Sequence, residues 1–238
     1  MQRENLRQLI LTISAFLMPF TLFFVSPIVI LIAAGDGVIN SSAILFILLF
    51  FISIFFGRIW CGWLCPFGGM QEAISKSCEK KPSGGKKDYI KFILFVPWIA
   101  FIIYSFAATG ISGINPLYGT EDGIFPEILY VYLFLLAVFV IFTFIFGSRS
   151  VCRYICPTAV IMIIGRKAGS ILSLPQLRLK AEPENCTGCR VCDSACIMGI
   201  KVSEMVKSGN TENSECITCG ACANACKKNA VKFGIFRR

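Results

Sequence analysis

Four apolar stretches decide what this 238-residue chain can fold into: residues 9–34, 42–56, 89–108 and 128–146. A helix crosses the hydrocarbon core of a bilayer in about 20 residues, and the four runs meet or approach that length. With 55% hydrophobic residues and a mean hydropathy of +0.71, the chain is too apolar for an ordinary soluble fold, and the bilayer is the expected solvent. The first run is over-long and carries Pro19 and the pair Ser26-Pro27, so a kink or an unwound turn is expected there. The second is short unless it continues through Trp60. A cleaved signal peptide is the other reading of the first run, since Arg3 and Arg7 precede it. Its apolar core is too long for that, and no small-x-small cleavage site follows.

The loops orient the helices. Around Asp36 and over residues 109–127 there is no lysine or arginine, and the charges are Asp36, Glu121, Asp122 and Glu127. The other connections carry Arg58, Lys76, Lys80, Lys81, Lys86, Lys87, Lys91, Arg149, Arg153, Arg166 and Lys167. The positive-inside rule therefore puts the acidic loops outside, and both chain ends in the cytoplasm of a prokaryotic cell bounded by its inner, or plasma, membrane. Topology accounts for the net charge of +9, so no nucleic-acid partner is called for. With Lys91 counted among the flanking residues, no Asp, Glu, Lys or Arg falls inside the four cores. Pumps and channels generally place ionisable groups at that depth, so a self-contained ion pump is not the expected function.

Thirteen cysteines without one histidine rule out histidine-ligated haem, Rieske centres, imidazole-bound zinc and histidine acid-base catalysis. Eight of them form two identical C-x2-C-x2-C-x3-C runs, Cys186, Cys189, Cys192 and Cys196, then Cys216, Cys219, Cys222 and Cys226. In such a run three thiolates from one tight turn grip three corners of a 4Fe-4S cubane, while the fourth points to a second cluster. One cluster is therefore expected on Cys186, Cys189, Cys192 and Cys226, and the other on Cys216, Cys219, Cys222 and Cys196. Gly188 and Gly220 suit the tight turns. Proline ordinarily follows the fourth cysteine, whereas Ile197 and Lys227 stand there, which bears on local hydrogen bonding and so on potential. Zinc ribbons and disulfide frameworks do not call for two identical four-cysteine runs. A segment of about 60 residues has a marginal core unless something such as a cluster staples it. An amphipathic stretch at 159–174 and Pro175 precede it, which divides the chain into a transmembrane domain, 1–174, and a cytoplasmic domain, 175–238.

A second cysteine set stands where helices leave the membrane: Cys61 and Cys65 followed by Pro66, and Cys152 and Cys156 followed by Pro157. Both are C-x3-C-P, and Phe56-Gly57 precedes one as Phe146-Gly147 precedes the other, so the membrane part reads as an internal duplication. The fold class follows: a membrane all-α domain of four helices, arranged as two parallel-repeat hairpins, plus a small α+β ferredoxin-like domain. Four thiols brought together by the repeat axis are the number that a third cluster requires; redox-active thiols and small helix-end residues are the other readings. Arg58, Arg149 and Arg153 are placed to offset an anionic cluster, though arginines at this position are also topology signals. Cys78 stands alone and reads as a bystander.

Together, the four spans, the two C-x3-C-P motifs and the C-terminal two-cluster domain resemble the NapH/NosR-type membrane ferredoxins. The resemblance is carried by residues 56–69 with Gln71-Glu72, by Cys152 to Pro157, and by residues 182–236. It implies a membrane component of a quinol dehydrogenase or a related electron conduit, a subunit rather than a complete enzyme. The large extracytoplasmic flavin domain of NosR-type proteins is absent from this sequence, so a flavin or haem would belong to a partner subunit. Soluble ferredoxin or quinone is then a candidate exchange partner. For a quinone, Tyr104, Tyr118, Tyr130 and Tyr132 offer hydroxyls and Trp60 and Trp63 an aromatic wall, residues that more commonly form the interfacial belt. The competing functions are a redox sensor or assembly factor for a membrane complex, and a membrane reductase of a metal ion or small oxidant.

Overall fold

A computed structural model describes residues 2–75, 77, 80–118 and 126–237, and of residues 2, 126–129, 131 and 132 the backbone alone. Cys78, and Glu121 and Asp122 of the acidic loop, lie outside the described residues, as do the side chains of Glu127 and Tyr132.

The first apolar run is three helices, α1 (Gln2–Phe16), α2 (Met18–Val25) and α3 (Pro27–Gly35). The chain bends by 84° between α1 and α2. Pro19 lies in the first turn of α2 and Pro27 opens α3, positions where a missing N–H is tolerated. Ser26 caps α3, its Oγ accepting from the N–H of Ile28 at 3.3 Å. After the two-residue β1 (Val38–Ile39), α4 (Ser41–Phe56) starts on the Asn40 cap, whose Oδ1 accepts from the N–H of Ala43 at 3.0 Å. α4 ends at Gly57, which holds φ +60°, so the second run does not continue through Trp60.

Two short helices follow, α5 (Ile59–Trp63) and α6 (Pro66–Ser75). The rest of the membrane part is α7 (Ile90–Thr109), β2 (Gly113–Ile114), α8 (Pro126–Phe146), α9 (Ser150–Tyr154) and α10 (Pro157–Ile171). One order thus occurs twice: an apolar helix, Phe-Gly, a five-residue helix, Cys-Pro, and a helix opened by that proline. The amphipathic stretch is the helix α10, which packs along α4 with Ala159, Val160, Met162 and Ile163 buried and leaves Ile164, Lys167 and Ile171 exposed.

Among the described residues, Lys86–Thr109 is by itself long and apolar enough to cross a membrane. Arg3–Phe16 and Met18–Val25 pass that test only as a bent pair, and Ser41–Phe56 and Leu133–Phe146 are shorter apolar helices. These helices turn large apolar side chains outward, among them Ile47, Phe51, Ile93, Val96, Ile103, Phe134 and Ile141, all more than half exposed. Such continuous apolar faces mark a chain associated with a membrane. At one end, β1 and β2 pair in parallel, Val38 opposite Gly113, and the Tyr118 hydroxyl donates to the Asp36 carboxylate. The Asp36 connection and the start of the 109–127 loop therefore meet.

In the C-terminal part, β3 (Gln176–Ala181) and β4 (Val231–Phe236) pair antiparallel, from Gln176 opposite Phe236 to Ala181 opposite Val231. Between them lie α11 (Val191–Ala195), α12 (Val202–Lys207) and α13 (Ala221–Ala225). A two-stranded ribbon is marginal alone. It is backed here by Leu179, Met198, Ile200, Val202, Val206 and Ile217, a core that continues into the membrane part through Cys61 and Met162. A second core joins α2, α6 and α8 through Met18, Leu22, Met70 and Phe139, with Phe67 stacked on Phe139 at 5.3 Å.

Candidate iron-sulfur sites

The two cysteine runs exchange members. Cys186, Cys189, Cys192 and Cys226 line one cavity of about 300 Å³, and Cys196, Cys216, Cys219 and Cys222 line a second, tighter one. Each takes three thiols from one run and the fourth from the other. The backbone explains how. Gly188 (φ +74°) and Arg190 (φ +58°) flank Cys189, and Thr218 (φ +50°) and Gly220 (φ +75°) flank Cys219 in the same way. Left-handed residues at matched positions turn successive N–H groups toward one side of the loop, a concavity suited to an anion. α11 and α13 then begin, and Cys196 and Cys226 are their C-caps, so each fourth thiol leaves its helix beside the opposite loop.

Among the described residues, no three Cys, Asp or Glu side chains converge closely enough for a single metal ion. The thiols ring a space instead, as a polynuclear cluster requires. Burial pushes the Cys219 thiol up to about 12 and raises Cys192, Cys196 and Cys222, while the exposed Cys189 is lowered by the N–H of Val191. Coordinated iron takes the place of the proton in such thiols.

The second cysteine set also comes together. Cys65 lies within electrostatic reach of Cys61, Cys152 and Cys156. Burial raises Cys65 and Cys156 and pushes Cys152 up to about 12, even against the pull of Arg149. Arg58 and Arg149 each stand three residues before the first cysteine of their own motif, fully buried, and they cross over. Arg149 Nη1 donates to the Cys61 carbonyl, and Arg58 Nη2 to the Cys152 carbonyl at 3.4 Å. Each half of the duplication thus fastens the cysteine loop of the other. Gly68 leaves room for this, since a Cβ there would overlap the Arg149 guanidinium.

Two buried acids anchor these cations. Glu72 accepts from Arg149 Nη2 at 2.6 Å and pairs with Arg7. Burial pushes the Glu72 carboxyl up, but Arg149 and Arg7 hold it below the usual carboxylate range. Glu215, from the C-terminal part, pairs with Arg58 at 3.3 Å and with Lys91. Four buried cations therefore face two buried acids, with the half-buried Glu4 at the rim beside Arg7. Among the described residues, Arg58 Nε, Arg149 Nε, Gln71 Nε2 and Trp60 Nε1 are buried donors without an acceptor, although Gln71 Oε1 accepts from the Cys152 N–H at 3.4 Å. Buried charge and buried donors are normally matched. An anionic group bearing sulfide acceptors, held by the four thiols, would match both, so the residues present fit a cluster.

Arg153, expected to be a third such cation, bonds elsewhere: to Asp88 at 2.6 Å and to the Met198 carbonyl. Trp63 donates to the Thr218 carbonyl at 3.3 Å, Tyr118 bonds Asp36, and Tyr104 and Tyr130 are exposed, so these aromatic residues do not form one pocket. Sequence reasoning missed Glu215, Lys91 and Met162, and quoted Gln71-Glu72 only as part of a signature.

The two parts meet through the second cavity. Arg58 donates to the Ser214 carbonyl at 3.0 Å, Arg166 to that of Cys216 at 3.2 Å, and Ser148 to that of Ile197 at 3.0 Å. Cys61 Sγ lies 3.7 Å from Met162 Sδ, and both share a core with Ile217, Cys222 and Cys192. The first cavity is lined by no residue of the membrane part. At Gly62 the cysteine loops of the two parts are in close contact, since a Cβ there would overlap the Ile217 carbonyl oxygen. Gly62→Ala is expected to cost about 1–3 kcal/mol, as overpacking does. Chemical denaturation measures that loss, and faster proteolytic release of the C-terminal part reports the weakened junction.

Comparison with known proteins agrees with this arrangement. The family described as "4Fe-4S binding domain" matches twice, over residues 41–84 and 128–173, one match for each half of the duplication. The family described as "4Fe-4S dicluster domain" matches residues 185–231. The chain is 30% identical over 218 residues to "Uncharacterized protein MJ0749" of Methanocaldococcus jannaschii, across 86% of this chain and 75% of that one. It is 23% identical to "Putative electron transport protein YccM" of Escherichia coli, across 76% of this chain and 53% of that one. To "Regulatory protein NosR" of Stutzerimonas stutzeri it is 26% identical, across 76% of this chain but 26% of that much longer protein. No solved structure matches the chain. With the membrane part matched twice by one 4Fe-4S family and the C-terminal part by another, this chain belongs to the NapH/NosR-type membrane ferredoxins.

Proposed function

We propose that the protein is a three-cluster electron relay, passing electrons between a cytoplasmic carrier and either the quinone pool or a redox partner in the membrane. The observation that carries this reading is the succession of cysteine sites. Cys186, Cys189, Cys192 and Cys226 form the outermost site. Cys196, Cys216, Cys219 and Cys222 form the next, seated on the C-x3-C-P loops, and Cys61, Cys65, Cys152 and Cys156 form the innermost.

Bound clusters supply one-electron storage that needs no catalytic base. The chain's own residues do the rest. Arg58 and Arg149 hold the two loops of the inner site in register and place positive charge beside it, Glu72 and Glu215 fix those guanidiniums, and the apolar core around Met162 and Ile217 excludes water between sites. The membrane part, on this reading, spans a prokaryotic plasma membrane four times as two parallel hairpins, with α2 and α3 as a broken first span and the three cysteine sites on the cytoplasmic side. The name "Regulatory protein" carried by one relative supports a second reading, a redox sensor, which would not exchange electrons rapidly with any quinol or soluble donor.

The deciding measurement is an iron and acid-labile sulfide assay on anaerobically purified protein, followed by an EPR-monitored redox titration. About twelve of each per chain and three titrating centres are expected. A count near eight with two centres would remove the innermost cluster from the relay.

A further inference from the structure

The outermost cysteine site opens to water through the exposed Cys189, and its surroundings are predominantly basic. Arg190, Lys227 and Lys228 are exposed and line the cavity. Lys207 is exposed beside it, its Nζ 3.2 Å from where a Cβ on Gly188 would stand. None of the four joins an ion pair among the described residues. Three of the acids nearby are engaged: Asp193 accepts from the N–H and hydroxyl of Ser203 at 2.7 and 2.6 Å, Glu182 pairs with Lys232 at 2.5 Å, and Glu204 pairs with Lys201 at 3.1 Å. Glu184, exposed beside Asn185, is a single carboxylate against these four cations. At the centre of this basic rim, Val191 is 48% exposed next to Cys189 and Arg190. An apolar centre within a charged rim is the anatomy of a transient protein interface. The membrane part packs on the second cavity and contributes nothing to the first, so the bilayer is not what neutralises this face.

We infer that this face docks a soluble, acidic one-electron carrier protein, with Arg190, Lys207, Lys227 and Lys228 steering it and Val191 seating it over Cys189. The inference rests on reading Cys186, Cys189, Cys192 and Cys226 as the outer end of the relay, and it names the partner of that end. One electron then leaves the reduced carrier, which is oxidised, and enters the protein, which is reduced; no bond forms or breaks. Complementary charge speeds such encounters and makes them depend on salt.

The test uses the full chain with its clusters, held in nanodiscs of neutral lipid, and an acidic two-cluster ferredoxin in its oxidised form as the probe, so that binding is read without turnover. In the triple variant Lys207→Glu, Lys227→Glu, Lys228→Glu the Kd is expected to weaken at least tenfold at low ionic strength. Parent and variant should converge near 1 M salt, where screening acts within about 3 Å. Lys180→Glu, on a different groove, should bind as the parent does. Equal affinity of parent and triple variant at low salt overturns the inference. So does a variant whose sole defect is weaker attachment to vesicles containing anionic lipid, because that assigns the patch to the bilayer. Iron content measured on the same samples separates the two claims: eight irons with salt-sensitive binding removes the innermost cluster and leaves the docking face standing.

Discussion

Replacing Glu215 with glutamine is expected to lower stability by about 3–5 kcal/mol, the usual cost of removing one partner from a buried ion pair. Glu215 is 4% exposed and is the acid shared by two fully buried cations, Arg58 at the start of α5 and Lys91 in the first turn of α7. Glutamine preserves the shape but leaves both cations without an acid. Arg58 keeps the carbonyls of Ser214 and Cys152, whereas Glu215 accounts for the ion pairing of Lys91 among the described residues. The loss should therefore appear first at the junction, as early protease cleavage of the C-terminal part at denaturant concentrations that leave the helical signal of the membrane part intact. Lys91→Met should cost less, because Glu215 retains Arg58. Combining it with Glu215→Gln should cost less than the sum of the two, since one stranded charge has been removed. A Glu215→Gln effect below about 1 kcal/mol, in a urea titration followed by circular dichroism, would mean that water screens the pair as it does at a surface.

How far the chain could be read without coordinates depends on the range of the interaction concerned. Local rules sufficed for the break at Ser26-Pro27, whereas the stop at Gly57 and the helix starts at Pro66 and Pro157, though each rests on one or two residues, were left open by the sequence. The placement of Cys226 in the cavity of the first run and of Cys196 in that of the second was also legible, because the spacing of a repeated run fixes which thiol leaves each loop. The duplication foretold that Cys61, Cys65, Cys152 and Cys156 would meet, but not what holds them. Arg58 and Cys152 are 94 residues apart, and Arg149 and Cys61 are 88 apart, and no periodicity links such pairs. Glu215 was invisible for the same reason, since it looked like an ordinary loop acid until the two parts packed together. The α10 helix was legible in part. Its two-faced pattern showed in the sequence, but Arg166 read there as a topology charge, whereas it is buried and reaches the carbonyls of Asn213 and Cys216 in the C-terminal part.

Cys152→Ser is expected to remove about four irons and four sulfides per chain, taking the count from about twelve to about eight, and to erase one EPR signal while leaving two. Cys152 is 4% exposed, faces Cys61, Cys65 and Cys156, and carries a thiol that burial, reinforced by Cys156 and Cys61 against the pull of Arg149 and Arg58, pushes up to about 12. A group so placed is ionised at neutral pH only when a metal takes the proton's place, and a serine hydroxyl, harder and far less acidic, does that poorly for iron. The variant also leaves Arg58 and Arg149 facing the site with fewer anions than before. Its melting should accordingly shift downward, although the hydrogen bond from Arg58 to the residue-152 carbonyl is a backbone contact and survives. The eight cysteines of the C-terminal part are untouched, so their two signals control for folding. Cys65→Ser, from the other half of the duplication, should reproduce the loss, because a cubane that loses either half's thiolate loses its fourth corner. With the site emptied, reduction of the two remaining clusters by a soluble donor should persist while transfer to a quinone or membrane acceptor stops. Twelve irons and unaltered transfer in both variants would return the C-x3-C-P cysteines to the role of buried helix-end residues.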